Sequence, residues 1–176
     1  MSNTSATGGY LSPDGGALPS DEQLEDILQV HVVNLTGLEP SLVRPRWQPT
    51  SPKLPEPNIT WAAIGVTESN DPDSPYIDDG GNVSNHETFE VLASFYGPQA
   101  EAKAKLFKTG LAIPQNNRQL KQHGMTFVRT QPLRTVPELL NQQWLRRYDL
   151  SFTMRREKAS HYPILPFETP PSIDMG

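Results

Sequence analysis

Apolar side chains near the start of the chain recur at the spacing of an α-helix. Five positions fall on one face of such a helix: Leu24, Ile27, Leu28, His31 and Leu35. Ser20 precedes them as a suitable N-cap residue, and Gly37 follows them as a residue that favours helix termination. The pattern predicts an amphipathic helix from Ser20 to Leu35.

Two later segments alternate between apolar and polar residues, which is typical of strands with one buried face. The first has apolar odd positions at Phe89, Val91, Ala93 and Phe95. The second runs from Trp144 to Arg156 and has apolar even positions at Trp144, Tyr148, Leu150, Phe152 and Met154. At ~3.3 Å per residue it spans roughly 43 Å, so we expect one end to project beyond the sheet and to offer backbone groups to another chain.

The remaining pattern completes a fold prediction. Strands are predicted at 44–48, 60–67 and 125–130, helices at 98–110 and 114–122, and a loop at 70–85. Neighbouring strands follow one another without a repeating βαβ order. The prediction is therefore an α+β fold, with a mainly antiparallel sheet of four to five strands packed by an N-terminal helix and two central helices.

Proline placement predicts the domain boundaries. The chain has 18 prolines in 176 residues, about twice the usual ~5%, and they cluster at 40–57 and 163–171. Proline keeps a segment extended and removes a backbone donor. We expect one α+β domain at residues 20–160, a flexible N-terminal arm at 1–19 and a proline-rich C-terminal arm at 161–176 that is disordered or lies on a neighbouring molecule.

Composition narrows the range of functions. The chain carries a net charge of −5 and has no cysteine, so disulfides and cysteine zinc sites are excluded. The negative charge argues against sequence-independent binding of nucleic acid. The N-terminus lacks the features of a secretory signal, and no apolar run reaches the ~18 residues of a membrane span. We expect synthesis in the cytoplasm and no contact with a membrane.

The residues that could support catalysis or metal binding do not form a recognisable motif. His31 is expected to be a core or interface histidine with one hydrogen-bonded ring nitrogen, and none of the four histidines has a second ligand one helical turn away. Asp71, Asp73, Asp78 and Asp79 lack the spacing of a calcium loop. Neither a phosphate-binding loop nor a nucleophile elbow occurs. We expect no catalytic residue, no cofactor and no metal.

Arginine and aromatic residues give the candidate surface. The arginines near the ends of the last predicted strand could contact phosphates, but solvated positions or salt bridges at a subunit interface are the more common use of such residues. The predicted subunit interface consists of Arg44, Arg46, Trp47, Arg146, Arg147, Arg155, Arg156 and Tyr162.

Several strings in the chain match a known family. They are LVRPRWQP at 42–49, TWAAIGVT at 60–67, SFYGPQA at 94–100, GLAIPQNNRQLKQHGM at 110–125, NQQWLRRYDLSFTMRR at 141–156 and HYPIL at 161–165. From about Asp21 to Leu165, in order and without large gaps, the chain resembles the neck terminator proteins of contractile-tailed bacteriophages. The proline-rich C-terminal arm departs from the family pattern.

The resemblance implies a structural protein of the virion tail or neck, made in the host cytoplasm. Such a tail terminator forms a homohexameric ring on the finished tail, stops growth of the tube and offers a docking face to the head connector. The implied partners are further copies of the chain, the tail tube and sheath proteins, and head–tail connector proteins, while genomic DNA passes through the channel without specific binding. The family has no catalytic or cofactor residues.

Three other functions stay open from the sequence. The chain could be another head–tail joining or tail-completion protein with the same architecture. It could be a nucleic-acid-binding module that uses the arginine-rich strand, although its acidic balance disfavours this. It could also be a hydrolase whose catalytic groups meet only in the folded structure.

Overall fold

A computed structural model of the chain describes residues 3–4, 6–14, 21–48, 50, 53–70, 74–140 and 143–164. The chain forms two compact units. The larger unit comprises residues 19–71 and 87–156, and the smaller unit comprises residues 1–18, 72–86 and 157–176. The boundaries predicted at residues 19/20 and 160/161 stay a prediction, and most of the proposed C-terminal arm lies outside the described residues.

Three α-helices belong to the larger unit: α1 (Asp21–Thr36), α2 (Ala100–Leu111) and α3 (Pro114–Lys121). All three lie where the sequence predicts a helix. Leu24 and Leu28 are buried on the inner face of α1, as its stripe requires. The predicted N-cap, Ser20, lies outside the described residues. A single turn of 3-10 helix at Pro40–Leu42 follows α1.

The strands form one mixed sheet in the order β1-β2-β4-β7-β5, with β3 beside β4 and β6 beside β7. Their bounds are β1 Val43–Pro45, β2 Trp61–Asn70, β3 Tyr76–Ile77, β4 Asn82–Tyr96, β5 Met125–Thr130, β6 Arg134–Leu140 and β7 Gln143–His161. β1 pairs with β2 in parallel, whereas β2–β4, β3–β4, β5–β7 and β6–β7 are antiparallel. The sheet is therefore mixed but mainly antiparallel.

The predicted count of four to five strands was wrong, because the residues that the structure describes form a sheet of seven. The sequence pattern missed β3, which has two exposed residues inside the predicted loop, and β6, whose Pro137 argues against a strand. β4 also begins at Asn82, seven residues before Phe89, the first apolar position of the predicted alternation. These residues are strand because a neighbouring strand hydrogen-bonds to them, and local apolar alternation does not record such pairing.

The core of the larger unit lies where the two alternating segments predict it. The odd positions 89–95 of β4 and the even positions Leu150, Phe152 and Met154 of β7 are buried. Phe107 of α2 packs against Phe95 and Phe152, with ring centroids 5.8 Å and 5.6 Å away. Trp144 is the exception on the even face of β7, because its side chain is 72% exposed.

The smaller unit is organised by hydrogen bonds around a turn. The carboxylate of Asp78 accepts bonds from the backbone N–H of Gly80 at 2.9 Å and of Asn82 at 2.8 Å. The side-chain amide of Asn82 also donates to it, and this bond is the main cause of the lowered pKa of Asp78. The N–H of Tyr162 donates to the carbonyl of Gly81 at 2.8 Å. Asp71 and Asp73 of the acidic segment lie outside the described residues.

Within the described ranges, no helix has both the length and the apolar character needed to cross a bilayer.

Candidate functional site

An open groove of about 460 Å³ lies on the larger unit. Its lining comes from β1 and the segment after it, from the facing ends of β2 and β4, and from β6 and β7. The lining residues are Arg44, Pro45, Arg46, Trp47, Gln48, Thr50, Leu54, Trp61, Ala63, Tyr96, Glu138 and Arg147. The structure thus brings together four of the eight predicted interface residues: Arg44, Arg46, Trp47 and Arg147.

Stacked aromatic rings form part of the groove wall. Trp61 begins β2 and Tyr96 ends β4, and the antiparallel register sets them directly opposite each other. Their rings stack with centroids 4.1 Å apart and planes inclined by 6°. Trp47 lines the same groove, and its side chain is 75% exposed. The groove therefore offers one covered pair of aromatic rings and one free indole.

Two of the groove arginines are held by hydrogen bonds from their Nη1 atoms. Arg44 donates to the carbonyl of Lys53 at 2.8 Å, and Arg46 donates to the Ser94 hydroxyl at 2.9 Å. Gly65 makes room beside Arg46, since a Cβ at this glycine would lie 3.0 Å from the Arg46 Cβ and 2.8 Å from Glu25 Oε1. Arg46 is thus positioned by its neighbours on the sheet.

Arg147 is fixed by two carboxylates. Its Nη1 donates to Glu138 at 2.8 Å and its Nη2 donates to Asp149 at 3.0 Å. Burial lowers the pKa of Arg147, but the hydrogen bonds to Glu138 and Asp149 outweigh burial and raise it above its ordinary value. Burial, with the negative charge of Glu138, also raises the pKa of Tyr96. Arg147 therefore stays charged, with most of its charge balanced within the unit.

The other four predicted residues are not part of the groove lining. Arg146 and Arg155 are exposed on β7. Arg156 is buried, and its Nε donates to Glu87, which also accepts a bond from the Ser69 hydroxyl. The Arg156 guanidinium lies 5.8 Å from the Phe89 ring centroid. Its charge is therefore paired within the chain. Tyr162 belongs to the smaller unit.

Sequence reasoning missed a hairpin made by β6 and the start of β7. Leu139 and Trp144 are cross-strand partners in it, and their side chains are 55% and 72% exposed. The side-chain bonds Glu90–Thr153 and Glu87–Arg156 indicate the antiparallel register of β4 and β7. In this register Tyr96, the last residue of β4, lies opposite Arg147. Residues 143–146 therefore extend beyond β4. We name the hairpin end around Leu139 and Trp144 the overhang.

One feature of the sequence indicates the overhang. Trp144 is the first apolar position of the alternating segment, and a residue at the end of a strand is less often covered by neighbouring strands than one at its centre. The other missed residues are Trp61, Tyr96 and Glu138 of the groove. Aromatic residues at the ends of two strands could have indicated them. Their meeting depends on the β2–β4 register, which the sequence pattern does not specify.

His31 is buried against α2, with its ring 6.4 Å edge-on from the ring of Phe107. Nε2 has no hydrogen-bond partner among the described residues, and the expectation of one hydrogen-bonded ring nitrogen stays a prediction. Burial lowers the pKa of His31 to about 4, so the imidazole is neutral at pH 7. In the part of the chain that the structure describes, no three metal-ligating side chains come together.

Comparison with known proteins identifies the family. A family model described as phage neck terminator protein matches residues 22–175. A comparison with curated proteins finds no significant match. The family match covers nearly the whole chain, and it agrees with the resemblance carried by the strings at residues 42–165. It also extends to residue 175, so the expectation that the proline-rich C-terminal arm departs from the family pattern was wrong. The chain therefore belongs to the phage neck terminator protein family.

Proposed function

We propose that this chain forms a homohexameric ring that caps the phage tail tube, stops its polymerisation and presents a docking face to the head connector. The observation that carries the proposal is the family match across residues 22–175. The match begins at the second residue of α1 and extends past the end of β7, so it applies to both units. The proposal assigns no catalytic, cofactor or metal-binding residue.

The overhang supports self-assembly. A closed ring needs a contact in which one patch of a subunit meets a different patch of the next. Leu139 and Trp144 form an exposed apolar pair on the overhang. Exposed large apolar pairs, and tryptophan in particular, are typical of the buried centre of protein interfaces. We propose that the overhang packs against the adjacent copy.

The net charge of −5 supports a role as a conduit for DNA. Cationic groups bind DNA mainly because they release counterions from its phosphates. A negatively charged channel releases none, so its binding free energy for DNA is small and the duplex can slide through it. Duplex binding measured at low salt tests this: we expect no retardation, and micromolar affinity would contradict it.

The alternative of a nucleic-acid-binding module predicts that Arg147→Ala with Arg155→Ala abolishes retardation. Arg147 is already engaged by Glu138 and Asp149, which disfavours that alternative.

Tail length in a phage that lacks this protein tests the central proposal. Without a terminator we expect tubes of uncontrolled length and heads that stay unjoined, and supplying the chain in trans should restore tails of one length. Negative-stain images of the purified chain with finished tails should show a ring at the tube end. Tubes of normal length in the absence of the chain would refute the proposal.

A second experiment separates this function from that of another head–tail joining protein. Tagged chain is mixed with purified tails or with purified connectors, and the proteins retained are identified. A terminator should retain tube or sheath proteins in the absence of any head component. Retention of connector proteins alone would favour a head-completion role.

A further inference from the structure

We propose that the groove lined by Arg46, Trp47, Trp61 and Tyr96 binds an extended segment, residues 165–176, from a second copy of this chain. The inference rests on the self-assembly proposed above, but it does not depend on where the assembly stands in the virion. It names a contact that is distinct from the overhang.

The groove has the chemistry of a proline-recognition surface. Proline-rich peptides in the polyproline II conformation dock on aromatic side chains, because the peptide loses little conformational entropy and proline rings lie flat on aromatic faces. Trp47 offers an exposed indole as the aromatic face, and the stacked Trp61–Tyr96 pair, 8% and 7% exposed, lines the same groove with little accessible surface. The segment 165–176 reads LPFETPPSIDMG, with three prolines and two large apolar anchors, Phe167 and Ile173.

Charge complementarity favours the same occupant. The groove lining contains three arginines, although the whole chain is acidic. Arg147 is paired with Glu138 and Asp149, so the positive charge offered by the lining is that of Arg44 and Arg46, which donate to uncharged oxygens. The segment has two acidic residues, Glu168 and Asp174, and neither lysine nor arginine. Arg46 uses Nη1 for Ser94, and a guanidinium has five N–H donors, so it can also bind a carboxylate. An acidic, proline-rich peptide thus matches both features of the groove.

The reach of the segment is sufficient for a contact between copies. Its 12 residues span about 37 Å as polyproline II at ~3.1 Å per residue. A folded chain of 176 residues has an expected radius of gyration of about 16 Å. A segment of this length can therefore extend from its own subunit to the surface of a neighbour.

Peptide binding tests the groove. The probe is a fluorescein-labelled peptide with the sequence of residues 165–176. The host is the full chain with its own segment disabled by Phe167→Ser, Pro170→Gly, Pro171→Gly and Ile173→Ser. We expect saturable binding in the micromolar range by fluorescence anisotropy, and at least tenfold weaker binding by a peptide of scrambled sequence. A lack of saturable binding would overturn the inference.

Matched groove variants test the location of binding. Arg46→Glu and Trp47→Ala in the host should each weaken binding at least tenfold, and Trp47→Ala is the safer for folding because its side chain is exposed. Arg155→Glu makes the same charge change at an exposed arginine outside the groove lining, and it should change binding less than twofold. Equal losses for Arg46→Glu and Arg155→Glu would reveal nonspecific attraction and overturn the proposed site.

Cross-linking tests whether the segment comes from a second copy. The full chain carries p-benzoylphenylalanine in place of Phe167, and light and heavy isotope forms are mixed as dissociated chains before assembly. We expect light–heavy products linked at the groove. Products within one chain only would overturn the proposal. The tail-length assay tests the proposed function independently. If the chain controls tail length but no groove cross-links form, the proposed function stands and this inference fails. If groove cross-links form but tail length is normal in a phage that lacks the chain, the proposed function fails and this inference stands.

Discussion

Phe152 lies at the centre of the core, fully buried, with its ring edge-on to that of Phe107. Replacing it with alanine removes this contact and leaves a cavity that its tightly packed neighbours cannot fill. We expect Phe152→Ala to lower the free energy of unfolding by about 3–5 kcal/mol. Urea denaturation monitored by circular dichroism measures the change.

Arg155→Ala is the control on the same strand. Its side chain is exposed, so we expect a change within about 0.5 kcal/mol. A larger loss for Arg155→Ala than for Phe152→Ala would show that the buried and exposed faces of β7 are reversed.

His31 makes stability depend on pH. Its pKa falls from 6.5 in the unfolded chain to about 4 in the folded chain because burial disfavours the charged ring. The unfolded chain therefore binds more protons between these two values, and stability decreases as the pH falls below 6.5. We expect this residue to cost about 2 kcal/mol between pH 7.5 and pH 5.

Urea denaturation at pH 7.5 and pH 5 measures this change, and it is repeated with His31→Gln. That variant should lose most of the dependence attributed to His31, whatever its absolute stability. His123→Gln replaces an exposed histidine and should leave the dependence unchanged. An equal pH dependence in the wild-type chain and in His31→Gln would contradict the assignment.

At the scale of elements, the connection from β4 to α2 depends on Gly97. Its φ is +93°, and an added Cβ would lie 2.3 Å from the carbonyl oxygen of Ile59. Alanine at this position thus meets both backbone strain and a backbone clash. We expect Gly97→Ala to destabilise the chain by about 3 kcal/mol or more, since the two effects combine. Thermal unfolding measures the loss.

Gly124 provides the matched control between α3 and β5. Its φ is +70°, but nothing lies within 4 Å of an added Cβ. Gly124→Ala should therefore cost only the conformational strain of about 1 kcal/mol. If both variants lost the same stability, the close approach at Gly97 would have no energetic effect.

The sequence predicts those elements whose own side chains define a buried face. α1, α2 and the central parts of β4 and β7 have such a face, and each lies where its periodicity indicates. β2 was predicted from a short apolar run, and it too is largely buried. β3 and β6 have no such signal, because they are stabilised by backbone pairing with β4 and β7 and not by a buried face of their own. The same reasoning explains Trp144, whose alternation continues past the point where β4 ends.

The candidate site was predicted only in part, for a related reason. Arg44, Arg46 and Trp47 are adjacent in the chain, so one string indicates all three. Arg156 looked equally suitable from its position near the end of a strand, yet Glu87, distant in the sequence, pairs with it. Which arginines face a groove and which are neutralised inside the fold depends on strand register, which local sequence does not specify.

At the scale of the whole molecule, the overhang should control assembly without controlling folding. Trp144 is largely exposed in the single chain, so Trp144→Ser should change the free energy of unfolding by less than about 1 kcal/mol. If the overhang packs on a neighbouring copy, the same change should shift the protein from rings to monomers. Analytical ultracentrifugation and negative-stain imaging measure the shift.

Tyr76→Ser is the control for this prediction. Tyr76 is also exposed, with 70% of its surface accessible, but it lies on β3 in the smaller unit. Assembly should be retained in this variant. Rings that form equally well with Trp144→Ser would exclude the overhang as the contact.

The buried pair Glu87–Arg156 has a consequence for how the two longest strands find each other. No turn joins β4 to β7, and regular alternation would tolerate a slide of two residues, since each apolar face would still point inward. Such a slide would set Glu87 against Met154 and leave two charges unmatched in the interior, at a cost of about 3–5 kcal/mol. The ion pair therefore fixes the register of β4 and β7, because any shifted pairing of these strands is unfavourable.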